Sequence, residues 1–98
     1  MLRYIYDGTF DGFLSVIYNC YYDKMPECIE REDRYTYNML FDDNIIMSDL
    51  VISNKVSKAI AQKISTDTLI HVYQSFLSEI EGIELKLLKY IQLGFKMG

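Results

Sequence analysis

Residues 2–22 read LRYIYDGTFDGFLSVIYNCYY, and this stretch sets the opening of the fold. Leu2, Arg3, Tyr4, Ile5 and Tyr6 are strand formers, with Leu2, Tyr4 and Tyr6 on one face and Arg3 and Ile5 on the other. Asp7-Gly8 breaks the strand, because the carboxylate can hydrogen-bond nearby backbone and glycine accepts turn angles. Thr9 is a good N-cap, and Asp11 suits the positive end of a helix dipole. Phe10, Phe13, Leu14, Ile17, Tyr18 and Tyr21 then recur at i, i+3, i+4, i+7, i+8 and i+11, one apolar stripe on a helix that Pro26 bounds.

Downstream, residues 23–44 are mostly polar and read as a surface connection, although its length leaves room for short structure. Tyr35, Tyr37, Met39, Leu40 and Phe41 could pack part of it down. Ile45-Ile46-Met47 and Leu50-Val51-Ile52 are apolar runs split by Ser48-Asp49, and a second strand is expected in one of them, or in both across a bulge. Three helices should follow. Ser53 or Asn54 can cap the first, with Val56, Ala59, Ile60 and Ile64 on one face. Ser65 or Thr66 can cap the second, whose wide apolar face (Leu69, Ile70, Val72, Tyr73, Phe76, Leu77, Ile80) predicts the central helix. Gly82 is the next break. The last helix runs from about Ile83, with Leu87, Tyr90, Ile91 and Gly94 as one row that Leu85, Leu88 and Phe95 broaden. The expected fold is α+β and helix-dominated: strand-helix-strand followed by three helices, in a single domain over residues 1–98. If the strands pair in parallel, the first helix makes a right-handed crossover.

Composition narrows the function classes. Half of the 98 residues are hydrophobic and 24% are charged, as in an ordered globular domain. Two cysteines, no secretory signal and no apolar run of the roughly 18–20 residues a membrane span needs point to a reduced, cytoplasmic protein with no membrane partner. The net charge of −4 is uneven: residues 1–52 carry four basic and ten acidic side chains, residues 53–98 six basic and four acidic. Acidity overall argues against tight non-specific nucleic-acid binding, which depends on Lys and Arg meeting phosphates.

No catalytic constellation stands out, and whether the chain is an enzyme stays open. His71 is the only histidine, and Cys20 and Cys28 lack C-x-x-C spacing, so neither a metal nor a cofactor is expected. Asp7 and Asp11 could serve acid–base chemistry, but turn and dipole roles explain them more simply. Nine tyrosines and no tryptophan are unusual. Tyrosines beside lysines can stack bases, although Tyr4, Tyr18, Tyr21, Tyr73 and Tyr90 fall where a core stripe would put them. Lys86, Lys89 and Lys96 form a basic strip on the last helix and are the candidate nucleic-acid-binding residues; Lys55, Lys58 and Lys63 form another strip.

Residues 4–14, YIYDGTFDGFL, resemble the opening of a bacterial family of unknown function that carries the label "probable DNA metabolism protein". Phe76-Leu77-Ser78-Glu79, Gly82-Ile83-Glu84-Leu85 and Tyr90-Ile91-Gln92-Leu93-Gly94-Phe95-Lys96 resemble a second block of that family. The resemblance implies an N-terminal segment of a longer architecture, with further family motifs beyond residue 98. It also implies DNA repair or modification: members are encoded beside a radical-SAM protein with a helix-hairpin-helix, and related domains are fused to uracil-DNA-glycosylase-like proteins. Two readings compete with a contact module for protein or nucleic acid. One is a DNA-repair enzyme whose chemistry lies elsewhere; the other is a structural module. The last helix, apolar on more than one side, fits a neighbour: another domain segment, or a second copy of the chain in a homodimer through that helix.

Overall fold

The computed structural model describes residues 1–97, which form three strands and four α-helices: β1 (Leu2–Tyr6), α1 (Phe10–Tyr22), β2 (Cys28–Arg31), β3 (Asp42–Ile45), α2 (Leu50–Lys63), α3 (Thr66–Leu77) and α4 (Ile83–Met97). The fold is α+β and helix-dominated, with strand, helix and strand followed by the last three helices. The opening stretch folds as its residues dictate. Thr9 Oγ1 accepts the Gly12 amide at 3.0 Å and so caps α1. Asp7 Oδ1 accepts both the Thr9 amide (3.0 Å) and the Thr9 hydroxyl (2.6 Å). Gly8 takes φ +86° in that turn, and the Asp7 carboxylate lies where a Cβ on Gly12 would stand.

The sheet is entirely parallel, in the order β2-β1-β3. Tyr4 and Tyr6 face the helices and are fully buried, Tyr6 against Phe13 of α1 and Phe76 of α3. The opposite face is closed by residues 32–41, which carry the chain from β2 across β1 to β3 and include a short 3-10 turn at Glu32–Arg34. Arg3 is buried on that face at 5% exposure. Its guanidinium donates to Asp43 Oδ1 (2.6 Å) and Oδ2 (2.9 Å) and to the Thr36 carbonyl (3.1 Å), and it stacks on Phe41 and Tyr35.

Four expectations need correction. The connection over residues 23–44 holds a strand, β2, which adds Ile29 to the core through a run too short to show alternation. The remaining strand is the polar segment Asp42–Ile45, because Arg3 on β1 recruits Asp43 beside it. Leu50-Val51-Ile52 is helical: Asp49 Oδ1 accepts the Val51 (2.9 Å) and Ile52 (3.2 Å) amides and starts α2 four residues before Ser53. The helix expected at the centre, α3, is peripheral, with only Val72 and Phe76 fully buried and Ile70, Tyr73 and Leu77 exposed. The central helix is α1, which buries Phe13, Leu14, Val16, Ile17 and Cys20 between the sheet and α2. Ser65 caps α3, and α4 follows Gly82, both as expected.

Candidate functional site

An open parallel sheet ordinarily binds ligands beyond the carboxyl ends of its strands, where the strand order reverses. That point lies here between β1 and β3, at the starts of α1 and α2. The two helix starts are sewn together. The Ser53 hydroxyl donates to Asp11 Oδ1 at 2.8 Å, and the Asp49 amide donates to Ser15 Oγ at 3.1 Å. Asp7 and Asp11 are thus occupied by the turn and by the α1–α2 contact.

Elsewhere among the described residues, two grooves stand out. The larger, about 310 Å³, lies where the C-terminal half of α1 and one side of α2 meet the end of α4. Ile17, Val56 and Ala59 are among its apolar lining, Tyr18, Tyr21, Tyr22 and Phe95 supply the rings, and Lys55 and Lys63 complete the rim. The α1 stripe explains the geometry. Tyr18 and Tyr22 are four residues apart, so their rings meet at 4.5 Å, while Tyr21, three after Tyr18, meets Phe95 of α4 edge-on at 5.7 Å. Tyr22 is 77% exposed. No carboxylate lines this groove, and neither lysine takes part in an ion pair among the described residues. Gly94 lets α4 approach the end of α2: an added Cβ would stand 2.8 Å from Ile64 Cδ1.

The candidate lysines on α4 are divided. Lys86, Lys89 and Lys96 are all exposed. Lys86 and Lys89 line the second groove, about 290 Å³, with Glu27, Cys28, Ile29, Gly82 and Leu85; Lys96 lines neither groove. In place of Lys96, the structure brings Lys55 and Lys63 of the other strip to the aromatic rings. Of the five tyrosines read as core, Tyr4 is fully buried with its hydroxyl donating to the Lys24 carbonyl (2.7 Å), whereas Tyr21, Tyr73 and Tyr90 are about half exposed. The groove had one sequence signal, the pair Tyr21-Tyr22, in which the second ring falls off the core stripe.

The remaining polar groups have structural partners. Tyr6 donates its hydroxyl to Glu84 Oε2 at 2.6 Å, and burial followed by this bond pushes the Tyr6 pKa well above its usual value. Burial pushes the Cys20 thiol up to about 12, which leaves it protonated and unreactive. Cys28 is also raised, chiefly by burial. His71 is exposed on α3, edge-on to Tyr90 at 5.9 Å. Among the described residues no group of three or more His, Cys, Asp or Glu side chains could hold a metal ion. Nor is any helix among them long and apolar enough to cross a membrane. No family model, curated protein or solved structure matches the chain.

Proposed function

We propose that this chain is a contact module of a DNA-repair or DNA-modification protein, and that it holds single-stranded nucleic acid in the groove between α1, α2 and α4. The observation that carries the reading is the gathering of Tyr18, Tyr21, Tyr22 and Phe95 with two unpaired lysines and no carboxylate. A stacked base gains about 1–3 kcal/mol on such a ring whatever its identity, and the ammonium groups can meet the phosphates on either side. Acidic side chains concentrate in residues 1–52, so local rather than net charge governs the approach of a strand. A cytoplasmic location and work alongside a radical-SAM helix-hairpin-helix protein accompany this reading through the family resemblance. A repair enzyme with its chemistry in another segment could use the same groove to hold its substrate strand.

Titration with fluorescent oligothymidylate at two salt concentrations tests the proposal. Weak binding that falls as salt rises is expected, with Tyr22→Ala and Lys55→Glu/Lys63→Glu each weakening it while the circular dichroism stays unchanged. Absence of binding at low salt would refute it.

A second reading, a dimerisation module, draws on the exposed row Tyr90, Leu93 and Met97 of α4. Their i, i+3, i+7 spacing makes one outward stripe that Leu87, Leu88 and Ile91, turned into the core, do not occupy. Light scattering distinguishes the two: a concentration-dependent dimer that Leu93→Glu dissolves would favour this reading.

A further inference from the structure

We infer that the free edge of β2, with the groove beside it, takes up an extended acidic peptide segment as a fourth strand. The sheet ends at β2, which pairs with β1 alone. A strand edge without a neighbour is a template for another chain. Here the edge carries a device that fills part of the vacancy: the Arg31 amide donates to Glu30 Oε1, its own neighbour's carboxylate, at 3.3 Å. Such a contact is long, local and easily exchanged for the carbonyl of an incoming strand.

The groove beside the edge fits that occupant. Cys28 and Ile29 of β2 line one side, and Gly82 with Leu85, Lys86 and Lys89 of the first half of α4 lines the other. At about 290 Å³ it is smaller and more open than an enclosed small-molecule site. It would accept alternate side chains of an extended segment, as in strand-addition complexes. Leu85 and Ile29 offer apolar contact. Lys86 and Lys89 have no ion-pair partner among the described residues, so their ammonium groups are free for carboxylates on that segment. The one acidic lining residue is already engaged, since Glu27 Oε2 accepts the Leu2 amide at 2.7 Å. A nucleic-acid strand suits this groove less well than the first, because no aromatic ring lines it. The inference is independent of the proposed function, which uses a different groove.

The test is nuclear magnetic resonance titration of the full chain with an end-blocked peptide of alternating glutamate and valine. The Ile29 and Arg31 amides should shift, and Arg31 should gain protection from hydrogen exchange. Lys86→Glu/Lys89→Glu, both on exposed positions, should weaken binding by about tenfold or more. The same peptide N-methylated on alternate amides should not bind, since it cannot complete a strand ladder. Four results would overturn the inference: no shift at millimolar peptide, equal binding by the N-methylated peptide, equal binding by the double variant, or shifts of these two amides by oligothymidylate in place of the peptide.

Discussion

Arg3 and Tyr6 are polar or half-polar side chains on the buried central strand, and each is tolerated because one specific partner meets it. Arg3 is answered by the Asp43 carboxylate on the adjacent strand, with the Tyr35 hydroxyl donating to the same carboxylate at 3.1 Å. The bond from Arg3 holds the Asp43 pKa below its ordinary value of 3.8. A depressed carboxylate pKa stabilises the fold above the unfolded value, and that stability is lost as pH falls through the folded one. Urea unfolding between neutrality and pH 3 should therefore show the native chain losing stability in the acid range, and Asp43→Asn, less stable at neutrality, losing less there. A parallel acid dependence in the two would contradict this role. Tyr6 is answered by Glu84, which is only 5% exposed. Tyr6→Phe would leave that carboxylate without its hydroxyl donor and should cost about 1–3 kcal/mol in denaturant unfolding. Adding Glu84→Gln, which removes the charge, should recover part of the loss. Glu84 stands in the first turn of α4, where a carboxylate suits the helix dipole, and the packing of α4 against the sheet adds the second role.

The elements differ in how far local chemistry determines them. β1 and α1 are legible because strand formers, turn, cap and stripe all agree within one stretch. β2 and β3 are not, since each is four residues long and draws its strand character from β1 rather than from alternation of its own. The start of α2 was legible in principle: Asp49 ahead of Ile52, Val56 and Ile60 is a capping residue before a helical repeat, but the apolar run it introduces also resembles a strand. The end of α3 carries strain. Glu79 has φ +55°, the left-handed conformation that follows many helix ends and favours glycine. Its side chain accepts Arg31 Nη1 at 2.7 Å but is 60% exposed, so the pair contributes little. Glu79→Gly should therefore be more stable than Glu79→Ala by about 1 kcal/mol in thermal or urea unfolding, reversing the usual helix ranking. Equal stability of the two variants would show that the left-handed turn costs nothing.

Across the whole molecule, the helices cover one face of a small parallel sheet, residues 32–41 cover the other, and both grooves lie away from the carboxyl ends of β1 and β3. The α+β class and the order of the helices were readable from periodicity, whereas β2, β3 and the layering were not. Periodicity gives the width of an apolar face and not the number of neighbours that face finds, which is why α3 resembles a central helix and yet leaves Ile70, Tyr73 and Leu77 in solvent. The aromatic groove was hidden for a related reason. Tyr18 and Tyr21 belong to the stripe of α1, but Tyr21 stays about half exposed at its C-terminal end, with Lys55 and Lys63 supplied by a helix more than thirty residues later. The most direct measurement of whether this groove holds a nucleic-acid strand is a map of amide and aromatic chemical shifts on adding oligothymidylate at low salt. Shifts concentrated on Tyr18, Tyr21, Tyr22, Lys55, Lys63 and Phe95, and reversed by added salt, are the expected result. Shifts confined to Lys86 and Lys89, or none at all, would contradict it.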